Sequence, residues 1–134
     1  MKKRSAFTLI EVLLAVFILE IGLLGIAGFY ASSLKITKTA RNETIASNLA
    51  SGILDEELAI AYDNLEVKTE SGQYSNDPAN PFYSWNYEIR TVYIDDNLAE
   101  QIVETNMKKI VVTVYWQEAG SQKSFQAASI KAEH

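Results

Sequence analysis

From Phe7 to Ala31 the chain runs FTLIEVLLAVFILEIGLLGIAGFYA, and only Glu11 and Glu20 in that run are side chains that carry charge near neutral pH. At about 1.5 Å per residue, a helix of this length crosses the ~30 Å hydrocarbon core of a bilayer. Lys2, Lys3 and Arg4 precede it. By the positive-inside rule they stay cytoplasmic and everything after Ala31 lies on the outer side. A cleaved secretory signal fits poorly, because the apolar stretch is about twice the usual ~7–15 residues and lacks a small-x-small exit site. A plain anchor fits poorly as well: an acid near the bilayer centre costs ~2.5–3.5 kcal/mol, and acids placed there have partners.

Composition narrows what the rest can do. A chain of 134 residues makes one modest domain. The formal net charge is -5; with Lys2, Lys3 and Arg4 set aside, the 12 Lys and Arg fall to 9 against 17 Asp and Glu. Nucleic acid and anionic lipid head groups are poor direct partners for so acidic a body. There is no cysteine, and the only histidine is His134. Disulfides, thiol nucleophiles and histidine-based catalysis or zinc binding are therefore excluded. No phosphate loop, nucleophile elbow or dinucleotide fingerprint is present, so neither an enzyme nor a cofactor is expected. Asp55-Glu56-Glu57 and Asp95-Asp96 lack calcium-loop spacing. They read as a solvated acidic face, with no metal. Tyr74, Phe82, Tyr83, Trp85 and Tyr87 crowd together in sequence, either as core packing or as an aromatic ligand platform.

Beyond Ala31 the apolar pattern becomes one-sided. Ile45, Leu49 and Ile53, with Ala46, Ala50, Leu54, Leu58 and Ala61, recur at helical spacing, against polar Lys35, Lys38, Arg41, Asn42, Glu43, Asn48 and Asp55. One helix is expected from Phe7 to Tyr62, about 84 Å long at ~1.5 Å per residue, ending at Asp63-Asn64. The stretch EVKTESGQYSNDPANP, Glu66 to Pro81, reads as a loop. Trp85, Tyr87, Ile89 and Tyr93 alternate with polar residues, as do Ile110, Val112, Val114 and Trp116 with Val111, Thr113 and Tyr115; both are expected as half-buried strands. Glu118 to Ser121 supplies a turn into a third strand, Lys123 to Ile130. Between the first two strands, Asp95 to Met107 reads as a loop or a short helix bearing Leu98, Ile102 and Val103. The fold class is α+β, a small antiparallel sheet lying on the outer half of a long helix.

The segment SAFTLIEVLLAVFILEIGLLGIAGF resembles the N-terminus of type IV prepilins and type II secretion pseudopilins: a short basic leader, a small residue at the cut, then Phe-Thr-Leu-Ile-Glu. The resemblance implies the type IV pilin-like form of that α+β fold. It also implies cleavage by a prepilin peptidase between Ala6 and Phe7, with methylation of the new Phe7 amine. Ala6 stands where the family has glycine. Glu11 would meet the N-terminal amine of a neighbouring subunit, which gives a buried carboxylate its counter-charge. Glu20, apolar in common members, lies about 900° of helical turn from Glu11, on nearly the opposite face. Two roles stay open for it: pairing with a different partner, such as another minor subunit or the assembly platform, or a protonated acid hydrogen-bonded within the helix bundle. Gly22, Gly25 and Gly28 suit either close helix packing or ordinary membrane-helix usage. The text ILEIGLLGIAGF resembles minor pilins of the PilV kind.

The organisation implied is a leader over 1–6, a membrane-spanning and filament-core half of the helix over 7–31, and an outward-facing head over 32–134. The function implied is that of a minor pilin that primes or caps a type IV pilus. A type II secretion pseudopilin and an uncleaved, membrane-anchored binding domain are the alternatives. Expected partners are other pilins or pseudopilins, prepilin peptidase, the inner-membrane assembly platform and, before assembly, membrane lipid. Expected locations are the bacterial inner membrane, as a single pass, and then a pilus or periplasmic pseudopilus.

Overall fold

A computed structural model of the chain describes residues 8–133. The expected cleavage pair, Ala6 and Phe7, lies outside the described residues. Packing divides the chain between Ala40 and Arg41 into two compact units, whereas the change in composition comes earlier, at Ala31.

Helix α1 runs Leu9–Ala59, 51 residues. Its start is written in the sequence Thr8-Leu9-Ile10-Glu11. The Thr8 carbonyl accepts the N–H groups of Glu11 (3.1 Å) and Val12 (3.3 Å), and its hydroxyl oxygen lies 3.4 Å from the Glu11 nitrogen as a second acceptor. Threonine three residues ahead of glutamate is the spacing that satisfies the donors left over in a first turn. From Thr8 to Lys38 every residue is exposed, and this stretch is long and apolar enough to cross a membrane. Within it Ser32 Oγ donates to the Gly28 carbonyl (3.1 Å) and Thr37 Oγ1 to the Ser33 carbonyl (2.9 Å). Both hydroxyls thus find partners on the preceding helical turn.

In the second unit the helix buries Ala46, Ala50, Leu54 and Glu57, a stripe at helical spacing. Ala46 and Ala50 are wholly buried in one cluster with Leu65, Ile110, Val112 and Val114, and such small side chains let helix and sheet approach closely. Trp85 and Trp116 stack within the same cluster, with ring centroids 5.3 Å apart. The helix ends at Ala59, before the expected Asp63-Asn64, and a 3-10 turn follows at Tyr62–Asn64. No basic residue stands in the last turn of α1. Lys131 from the sheet does that work, and Lys108 serves the 3-10 turn after it. Lys131 Nζ donates to the carbonyls of Leu58 (2.6 Å) and Ile60, and Lys108 Nζ to those of Tyr62 (2.9 Å) and Leu65 (2.8 Å). A cation at a helix C-terminus meets both the unpaired carbonyls and the negative end of the helix dipole.

Five antiparallel strands form the sheet: β1 (Thr69–Gln73), β2 (Asn86–Ile94), β3 (Glu100–Gln101), β4 (Met107–Glu118) and β5 (Ser121–Ala132). Their order is β1-β2-β4-β5, with β3 paired to the end of β2. The three expected strands are present. The stretch from Glu66 to Pro81 is more than a loop, because β1 lies inside it. Glycine and serine hide the strand from pattern reading, and Gly72 is there for contact: opposite it in the ladder sits Tyr87, whose ring occupies the space a Cβ would need.

Asp95 to Met107 forms no helix. Asp95 Oδ1 accepts the backbone N–H groups of Asn97 and Ala99, both at 2.9 Å, and Leu98 takes a left-handed φ of 62°. This turn leads into β3, and Leu98, Ile102 and Val103 are exposed. In β4 Ile110, Val112, Val114 and Trp116 are buried as the alternation requires. Val111 is buried too, with Arg90 and Ala128 opposite it on the flanking strands. In β2 the alternation slips at its end: Tyr93 is half-buried and Ile94 fully buried. There Thr105 Oγ1 donates to the Ile94 carbonyl at 2.7 Å.

The β4–β5 connection is a two-residue turn. Glu118 pairs with Ser121, and Ala119 and Gly120 have φ of 50° and 79°. Two consecutive left-handed residues match the twist of a hairpin, but the conformation costs an alanine about 1–2 kcal/mol. Ala119→Asn is therefore expected to raise stability by about 0.5–1 kcal/mol. Thermal melting of the two proteins side by side checks it, and an unchanged or lower midpoint would contradict it.

Candidate assembly surface

The residues that sequence reading singles out lie mostly on α1. Glu11 is in its first turn and exposed. It borders a shallow apolar groove with Val12, Ala15, Val16 and Leu19 along one side of the helix. Among the described residues no cation pairs with Glu11. The arrangement is an isolated carboxylate beside a strip of aliphatic surface, suited to a partner that brings both apolar contact and one positive charge. Glu20 is also exposed and is absent from that groove. Helix continuity through both residues keeps them on nearly opposite faces. A Cβ added at Gly22, Gly25 or Gly28 would meet nothing within 4 Å. Nothing inside the chain requires glycine at these positions, so any close approach they permit is to another molecule.

Of the acidic runs, Asp55 and Glu56 are solvent-facing, but Glu57 is not part of a solvated face. It is buried where α1 meets β1 and accepts from Lys68 Nζ at 3.2 Å. Lys68 also pairs with Glu70 at 3.0 Å. The Glu70 hydrogen bond, aided by Glu57 and opposed by partial desolvation, holds the Lys68 ammonium above its ordinary pKa. Asp95 is a turn organiser: the Ala99 N–H first, with Asn97 and Gln101, holds its carboxyl below the usual range. No group of three or more metal-ligating side chains occurs among the described residues.

The aromatic run divides between the two readings given for it. Trp85 is buried, and Phe82 packs edge-on against it with centroids 5.4 Å apart. Tyr83 is exposed. Tyr74 and Tyr87 meet edge to face at 5.3 Å and line a cleft beside Glu57. Burial, with a smaller push from Tyr87, raises the Tyr74 phenol from 10.0 to about 12. Raised above its unfolded value, this group does not affect stability below pH 10. Between pH 10 and about 12 the unfolded chain loses the proton first, so stability falls. In an alkaline absorbance titration, the difference between wild type and Tyr74→Phe is expected to show one phenol ionising near 12. Ionisation of that phenol near 10 would contradict its burial.

The two latch lysines, Lys108 and Lys131, and the strand β1 escaped sequence reading. A lysine flanking an apolar strand, as in Met107-Lys108-Lys109-Ile110, was the available signal for the first.

Residues 1–27 match the family model described as the prokaryotic N-terminal methylation motif. No curated protein and no solved structure matches the chain. That motif implies processing by a prepilin peptidase and assembly with other pilins. A methylation motif heading an exposed apolar helix, on a chain whose remainder packs helix against antiparallel sheet, supports a membrane-anchored subunit of the type IV pilin or pseudopilin type.

Proposed function

We propose that the chain is a minor pilin, a structural subunit that primes or caps a type IV pilus. Residues 1–6 are a leader removed between Ala6 and Phe7, and the Phe7 amine is then methylated. Residues 7–31 anchor the precursor in the inner membrane with the N-terminus cytoplasmic, and residues 32–134 form the head outside. On assembly the apolar helix leaves lipid for a bundle of like helices, and Glu11 takes the amine of a neighbour as its counter-ion. Glu20, on the other face, is left for a second contact with a minor subunit or the assembly platform.

The observation that carries this reading is Glu11, without an ion pair among the described residues, in the first turn of an exposed and largely apolar stretch of helix headed by the methylation motif. Lipid and helix bundle are similarly apolar, so the transfer is driven by packing and by the ion pair rather than by hydrophobic burial, and its net gain is small. Extraction of the subunit therefore depends on work done by other components.

Mass spectrometry of the N-terminal tryptic peptide tests the reading, comparing material sheared from intact cells with the membrane fraction. An N-methylated peptide beginning at Phe7 in the sheared fraction is expected. The same peptide confined to the envelope would transfer the protein to a secretion pseudopilus. An uncleaved N-terminus everywhere would leave a membrane-anchored binding domain.

A further inference from the structure

Where α1 faces β1 and β2, a cleft of about 460 Å³ is lined by Glu56, Glu57, Lys68, Glu70, Tyr74 and Tyr87, over Ile53 and Ile89. Two of its lining residues carry a polar atom that has no hydrogen-bond partner and is shielded from solvent: Glu57 Oε2 and the Tyr74 hydroxyl. Glu57 as a whole is only 8% exposed. A carboxylate oxygen so placed is desolvated with no hydrogen bond in return until a donor reaches it. Lys68 is the nearest cation, but it is already shared between Glu57 Oε1 and Glu70.

The lining decides what kind of guest fits. Three carboxylates face one ammonium, so an anion is repelled and a cation attracted. A bare metal ion is poorly served, since no cluster of three metal-ligating side chains occurs among the described residues. Two tyrosine rings in edge-to-face contact form part of the wall. Planar cations stack on such rings and donate several N–H groups in a fixed fork, which a spherical ammonium cannot do.

We propose that this cleft is a socket for a guanidinium group, an arginine side chain presented by a neighbouring subunit. Its N–H groups supply the donors that Glu57 Oε2 and the Tyr74 oxygen lack, and Glu56 and Glu70 balance its charge. The chemistry of the socket stands on the cleft alone. Only the source of the arginine rests on the pilin-type assembly reading.

The test uses the full chain in detergent micelles with ring-labelled tyrosine, observed by NMR. N-acetyl-arginine amide is titrated in, and Tyr74→Phe serves to assign the resonance. Saturable shifts of Tyr74 and Tyr87 are expected, at least about tenfold weaker in Glu57→Gln, which keeps the size of the side chain but removes its charge. N-acetyl-citrulline amide, a neutral isostere, is expected to give none. Equal shifts with citrulline, an unresponsive Tyr74 or full binding by Glu57→Gln each overturn the socket. An equal response to N-acetyl-lysine amide overturns the guanidinium assignment.

A photo-crosslinker at position 56 in cells then tests the source. An adduct with an arginine-bearing segment of another pilin-type subunit, lost in Glu57→Gln, is expected. A pilin adduct unchanged in Glu57→Gln overturns the socket and leaves the assembly reading intact. Arginine-amide binding without any pilin adduct keeps the socket and overturns the neighbouring subunit as its source.

Discussion

Glu11→Leu is expected to remove the protein from sheared surface filaments by a factor of about a hundred or more, while its amount in the inner membrane and its cleavage at Phe7 stay normal. Leucine keeps the helix and the apolar groove formed with Val12, Ala15, Val16 and Leu19. What it removes is the only negative charge in the first turn of α1. In a helical bundle the amine of the neighbouring subunit is then left without a counter-charge, and breaking a buried pair from one side costs about 3–5 kcal/mol. Each 1.4 kcal/mol is tenfold in the equilibrium, so the loss reaches two to three orders of magnitude. Quantitative immunoblotting of sheared and membrane fractions checks the result. Filament incorporation at the wild-type level would overturn the pairing. Glu20→Leu is the companion measurement: unchanged assembly with unchanged partners would reject a pairing role for that residue.

The second large effect is on stability. Lys108→Met is expected to destabilise the folded head by about 1–3 kcal/mol, even though methionine is the more apolar side chain. Lys108 is only 4% exposed. Its ammonium donates to the Tyr62 and Leu65 carbonyls and lies 4.1 Å from the centre of the Tyr62 ring. Methionine fills the volume but leaves the Leu65 carbonyl without its lysine donor and the Tyr62 carbonyl with the Leu65 N–H alone, and an unsatisfied group of that kind costs about 1–3 kcal/mol. The melting midpoint of the full chain in detergent should fall by roughly 5 °C or more. A change below about 2 °C would mean that the latch contributes little. Lys109→Met, in the same strand but half-buried, serves as the control.

Much of this fold is legible from sequence because its signals are periodic. The apolar run, the helical spacing of Ala46, Ala50 and Leu54, the alternation of Ile110 to Trp116 and the Ala119-Gly120 turn each repeat a known geometry. What was hidden is where one element answers another. The end of α1 is met by Lys131 and the 3-10 turn beyond it by Lys108, and both arrive from strands far along the chain, so that neither carbonyl partner is marked in the local sequence. Strand β1 was hidden because its sequence, Thr-Glu-Ser-Gly-Gln, has turn-like composition, and Gly72 is explained only by the Tyr87 ring across the ladder. Glu57 reads as one of three surface acids until the helix is docked on the sheet, because i, i+4 spacing from Ile53 makes it as much a core position as its apolar neighbours. In the N-terminal half of α1 the residue types were legible, since an acid inside an apolar helix is conspicuous, whereas no cation pairs with Glu11 or Glu20 among the described residues.

The Thr8 cap has a consequence for how subunits recognise each other. Glu11 sits on a turn whose backbone N–H groups at Glu11 and Val12 are already held by Thr8, so the backbone that carries its carboxylate is wound before any neighbour arrives. A frayed terminus would have to wind as it bound, and ordering each residue's backbone costs about 1–2 kcal/mol. With the turn formed in advance, a partner that meets Glu11 as proposed spends little of its attraction on winding the helix, and more of it goes into affinity.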